Sequence, residues 1–158
     1  MKKNLITALA LAMFSCGNSN SEIGKLVTTK EYEDLNKIEE NNGKRFSIVG
    51  YPFIDSDIKT SIKTTPYIKF YEQPNGKGVI IGHFPIEDGE GKNEFYTPET
   101  FTMQDVIFYD NEGNKIKSSE KLQISFTLKL QTERSKSGRG ADAAYYGGPE
   151  DVRIDKVK

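Results

Sequence analysis

Between residues 122 and 131, apolar and polar side chains change places at every step. Leu122, Ile124, Phe126, Leu128 and Leu130 alternate with Gln123, Ser125, Thr127, Lys129 and Gln131. A period of two gathers the apolar set on one face of an extended chain, whereas a helix would scatter it around the axis. The run is therefore expected to be a strand with one buried and one solvated face. One strand cannot bury that face alone, so the remaining residues must supply a sheet and a second layer.

The partners are legible in shorter runs. Arg45, Phe46, Ser47, Ile48, Val49, Gly50 and Tyr51 read as a strand, and the glycine inside it marks a bulge or tight bend. Residues 67–71 and 79–84 read as a hairpin around Gln73, Pro74, Asn75 and Gly76, because proline presets one turn dihedral and Asn-Gly accepts positive φ. Residues 105–109 and 115–117 flank a second hairpin turn, and residues 152–155 close the chain as a short strand. Ahead of the first strand, Thr28 and Glu31 have the spacing of a capping box. Tyr32, Leu35 and Ile38 form a narrow apolar stripe, Glu33 and Lys37 stand in the favourable i,i+4 order, and Gly43 suits the left-handed residue that ends a helix. A helix this short must dock on the sheet to persist. Residues 55–66, 87–93 and 133–151 read as loops, the second acidic and mobile, the third long and glycine-rich.

With 158 residues the chain fits one domain, and its net charge of −1 argues against a strongly basic nucleic-acid binder. Only 35% of its residues are hydrophobic, so nine Phe and eight Tyr must carry much of the core. One His and one Cys do not supply the three or four ligands, roughly, that a protein zinc site takes.

The N-terminus has its own order. Lys2 and Lys3 precede an apolar run over residues 5–14, too short to span a membrane, which ends in Phe14-Ser15-Cys16-Gly17. This arrangement resembles a bacterial lipoprotein signal, with Met13 where that family usually has Leu. An ordinary cleaved signal with an incidental cysteine is the alternative. The resemblance implies that Cys16 is acylated with diacylglycerol, that the chain is cut before it, and that the new amine is acylated too. Several acyl chains would then anchor the protein stably. Loss of Lys2 and Lys3 leaves 20 basic residues against 23 acidic, or −3, so no polybasic patch assists. Gly17, rather than Asp, follows the cysteine, which by resemblance points to the outer membrane. The expected organisation is a signal peptide over 1–15, a flexible tether over 16–28, and one β-rich domain with an N-terminal helix over 29–158.

Within that domain, the bent strand around Gly50, the following hairpin, the long alternating strand and the terminal strand together resemble an oligonucleotide/oligosaccharide-binding barrel, the OB-fold. The fold class is accordingly mainly β, a small OB-fold-like barrel preceded by a short helix, with a β-sandwich as the alternative. In this resemblance the helix precedes the first strand, and the hairpin around Asn111 is additional.

Candidate chemistry is sparse. His83 is the one imidazole and lies mid-strand without a sequence-evident partner for acid–base work. The acidic runs at 87–90 and 110–114 lack calcium-loop spacing. Arg134, Lys136 and Arg139 interleave with glycine and serine and are followed by Tyr145 and Tyr146, a composition suited to phosphate backbones and stacked rings. The plainer alternative is a solvated loop whose tyrosines pack on their own barrel. The expectation is a non-catalytic lipoprotein without metal or cofactor, held to the membrane through Cys16 and contacting an envelope or secretion protein. The alternative is a domain that binds an anionic oligosaccharide or nucleic acid, although the acidity of the chain disfavours nucleic acid.

Overall fold

A computed structural model of the chain describes residues 22–55, 66–134 and 145–157. Nine strands and one short α-helix are present among them: β1 (Lys25–Leu26), α1 (Thr29–Asp34), β2 (Arg45–Phe53), β3 (Tyr67–Gln73), β4 (Lys77–Pro85), β5 (Phe95–Tyr96), β6 (Ile107–Tyr109), β7 (Lys115–Lys117), β8 (Leu122–Arg134) and β9 (Tyr145–Lys156). The main sheet has the order β4-β3-β2-β8-β9, with β1 added parallel to β2, and β5-β6-β7 form a second, small sheet. The protein is mainly β, as its alternation demands.

β2 is the pivot. Arg45 to Gly50 ladder antiparallel to β8, and Tyr51 to Phe53 ladder antiparallel to β3. The strand changes partner immediately after Gly50. A β-carbon there would stand 2.7 Å from Ile81 Cδ1 and 3.0 Å from the Tyr71 carbonyl oxygen, so only glycine lets the three strands meet at the bend. The sheet curls from this corner until β4 and β9 approach each other, but these two strands share no ladder and the sheet is not closed.

The inward face carries an aromatic core. Phe84 stands 5.3 Å from both Phe70 and Phe126 and 5.7 Å from Tyr32, measured between ring centroids. Phe70, Phe84 and Phe126 are fully buried. α1 contributes Tyr32, whose phenol burial pushes up to about 12, and the turn that follows contributes buried Leu35. The helix starts as its sequence predicts: the Thr28 hydroxyl accepts from the Glu31 amide and the Glu31 carboxylate accepts from the Thr28 amide. The carboxylate also accepts from the Thr28 hydroxyl, and the bonds from the Thr28 amide and hydroxyl hold the Glu31 carboxyl below its ordinary range. It is shorter than the apolar stripe implies. After Asp34 the chain tightens into 3-10 turns, Ile38 is exposed, and Lys37 bonds to Asp34 at 2.7 Å. Gly43 takes the expected positive φ, as do Asn75 and Gly76 in the β3–β4 turn.

Three sequence expectations change. The stretch read as irregular over 133–151 is strand on both sides of residues 135–144: β8 runs to Arg134 and β9 begins at Tyr145. Glycine and proline hid this, because Gly147, Gly148 and Pro149 ladder with Leu130, Lys129 and Leu128 on one edge only, where proline is tolerated. The acidic loop at 87–93 is tied down rather than free. Asn93, at φ 60, donates to Asn111 Oδ1 and accepts from the Ile154 amide at 2.8 Å, and Phe95 exchanges backbone bonds with Glu87 and Gly89. Finally, the domain starts earlier than residue 29. Residues 22–27 form a strap across β2 and β8, in which Val27 is buried.

Candidate functional site

The basic-aromatic run divides at the structure. Lys136 and Arg139 lie outside the described residues, as does the Cys16 lipidation position. Arg134 and Tyr145 are register partners at the far end of the β8–β9 ladder, and Tyr146 follows in β9; the side chains of Arg134 and Tyr146 are outside what is described. Tyr145 is only 7% exposed, and its hydroxyl donates to Glu39 Oε2 at 2.8 Å. Its ring is buried in the core cluster, so it presents no open face for stacking. Tyr145→Phe is expected to cost about 1 kcal/mol of unfolding free energy, the worth of one such bond. Urea unfolding of the domain measures this, and an unchanged midpoint would return Tyr145 to the list of surface groups.

One concavity lies in the gap between β4 and β9. A groove of about 610 Å³ there is lined by Tyr67, Pro85, Glu87, Lys92, Glu94, Glu150 and Asp151, among others. Four carboxylates against one ammonium make it a poor receptor for a polyanion. An adjoining hollow of about 430 Å³ carries exposed His83 beside Gly147, Gly148 and Pro149. Pro149 and Pro85 remove backbone donors from the two strands that face each other across the gap. Among the described residues no group of three His, Cys, Asp or Glu is placed to hold a metal ion. Asp110 is a structural acid. Burial would raise its carboxyl, but bonds from Asn114, Glu112 and Gly113 outweigh that and hold it low, fixing the β6–β7 turn.

What residue-by-residue reading missed is the strap. Arg45 Nε donates to the Glu22 carbonyl at 2.6 Å, and Arg45 Nη1 reaches Thr127 Oγ1 and the Asp151 carbonyl. The Ser47 hydroxyl donates to the Gly24 carbonyl at 2.9 Å, the Gly24 amide donates to Ser125 Oγ at 3.2 Å, and the Val27 amide donates to the Ser47 carbonyl at 2.9 Å. Ser47 and Ser125 are fully buried on the face where the alternation predicts solvent. Two small hydroxyls on neighbouring strands were the available signal, since they leave room for a backbone and satisfy its polar groups. No helix among the described residues is long and apolar enough to cross a membrane. No protein-family model matches the chain, and neither a curated protein nor a solved structure matches it.

Proposed function

We propose that the protein is a lipid-anchored lipoprotein of the outer membrane. On this reading its β-domain is a non-catalytic interaction module for another protein of the cell envelope, as in an assembly or secretion complex. The observation that carries the reading is the order of the N-terminal residues: Lys2-Lys3, the apolar run to Phe14, Ser15-Cys16, then the polar, uncharged Gly17-Asn18-Ser19-Asn20-Ser21 leading into the strap. Cys16 is the single thiol of the chain, so it is the single site for acylation on sulfur. The module reading draws on a small β-domain in which several acids, such as Glu31, Asp105 and Asp155, are engaged in caps and ion pairs.

Metabolic labelling with a fatty-acid analogue, followed by identification of the first residue of the mature protein, tests the anchor. Wild-type protein is expected to take up label and to begin at Cys16. Cys16→Ser is expected to take up none. It then either leaves the membrane fraction or persists there as a larger species still carrying Met1. Wild-type protein that takes up no label and begins elsewhere would refute the anchor. Crosslinking in mild detergent extracts tests the module, and a protein that crosslinks to nothing would count against it.

A further inference from the structure

The strap and the tether together restrict how the domain can stand on a membrane. Cys16 and Glu22 are six residue steps apart. Fully extended, that span covers about 20 Å, and as a flexible coil about 13 Å. A domain of this size has a radius of gyration of about 14 Å and measures about 35 Å across. The chain enters at Glu22, whose carbonyl is held by Arg45 of β2, and is fixed again at Gly24 by Ser47 of β2 and Ser125 of β8. In the strand order β4-β3-β2-β8-β9, with β4 and β9 brought together, β4 is the wall opposite the β2–β8 pair. A tether shorter than the domain cannot bring that opposite wall to the surface that holds Cys16. The strap side stays near it.

The strap also carries two exposed apolar side chains beside the exposed charges of Glu22 and Lys25. Ile23 is 55% exposed and Leu26 is 60% exposed, two of the most exposed large hydrophobic side chains among the described residues. Their partner in sequence, Val27, turns inward and is buried. We propose that Ile23 and Leu26 rest on the lipid bilayer that anchors Cys16, so that the β2–β8 wall is the membrane face and the β4–β9 groove is turned away from it. This rests on the anchor reading. The occupant follows from chain length: the nearest apolar medium to two side chains so close to an acylated residue is the bilayer itself. Apolar side chains gain by leaving water at a membrane interface, and a second contact beside a lipid anchor strengthens the hold.

Ile23→Cys, Leu26→Cys and His83→Cys each place one new thiol on an exposed position of the full-length, membrane-inserted protein. The three variants are labelled with a fluorophore and reconstituted into phosphatidylethanolamine/phosphatidylglycerol vesicles containing nitroxide-bearing lipid. Quenching is expected to be severalfold stronger at 23 and 26 than at 83, on the opposite wall. Equal quenching at all three positions, or stronger quenching at 83, would overturn the proposal. Wild-type protein carried through the same labelling separates the two readings. An acylated Cys16 takes up no thiol label, so a labelled wild type would refute the anchor, whereas an unlabelled wild type with uniform quenching would refute only the membrane contact. Labels at 23 and 26 that are shielded in detergent without lipid would assign the face to a second copy of the chain instead.

Discussion

Phe84→Ala is expected to lower the unfolding free energy by about 3–5 kcal/mol, the range for removing a large buried aromatic side chain. Phe84 is fully buried and meets Tyr32, Phe70 and Phe126 at 5.3–5.7 Å. These rings come from four elements: α1, the two strands of the β3–β4 hairpin, and β8. Truncation leaves a cavity that none of them can close alone, because each is held by its own ladder or cap. Typical domains have about 5–15 kcal/mol in total, so the loss takes a large share of the stability and unfolds a domain at the low end of that range. Phe53→Ala is the informative contrast. Phe53 is half-buried and makes its ring contact with Tyr71 at the β2–β3 edge, so its loss is expected to cost about 1 kcal/mol. Urea midpoints of the two variants measure the difference. Equal shifts would mean that the aromatic cluster is not where the stability resides.

The contrast also marks what could be read in advance. Phe126 and Phe70 stand in runs whose period of two assigns them inward, and Gly50 announced the corner. Thr28 and Glu31 defined the helix start by their spacing alone. In each case the determinant lies within a few residues of the thing determined. The misreadings have the opposite character. Gly147, Gly148 and Pro149 have poor strand propensity, yet they are held extended because β8 supplies a long partner, and that information sits nearly twenty positions upstream. Tyr145 could be read either as a binding ring or as one packed on its own domain, because the residue that receives its hydroxyl, Glu39, is 106 positions away. Asn93 gave no sign that its side chain would pair with the backbone of Ile154. Small polar residues are ambiguous in the same way: Ser125 fits the solvated face of an alternating strand, and only the strap lying on it shows that the face is covered. As for the candidate site, the proposal for Cys16 rests on a local run of residues, whereas the groove between β4 and β9 arises from curvature that no single segment encodes.

Gly24→Ala is expected to release the strap from the domain. A β-carbon on Gly24 would stand 2.3 Å from both the carbonyl carbon and oxygen of Phe46, closer than such atoms can approach, and both belong to a strand laddered on its other side to β8. The backbone of β2 cannot yield without breaking that ladder, so the strap must lift. Lifting exposes Val27 and gives up the bonds from Ser47, to Ser125 and from the Val27 amide. Burial of one valine is worth about 1.5–2 kcal/mol and each neutral bond about 1 kcal/mol net. With three such bonds and one valine, a loss of about 4–5 kcal/mol is expected. The ladders of the main sheet from β4 to β9 do not run through Gly24, so the sheet should remain folded. Hydrogen exchange separates local from global effects: the Val27 amide is expected to lose its protection while those of Ile124 and Phe126 keep theirs. A variant in which Val27 stays protected would show that the strap is not held where Gly24 meets Phe46. In the acylated protein the same substitution lengthens the effective tether from six residues to about twelve, doubling its extended reach to about 40 Å. The domain could then roll, and the difference in lipid quenching between Leu26 and His83 should collapse while acylation of Cys16 is unchanged.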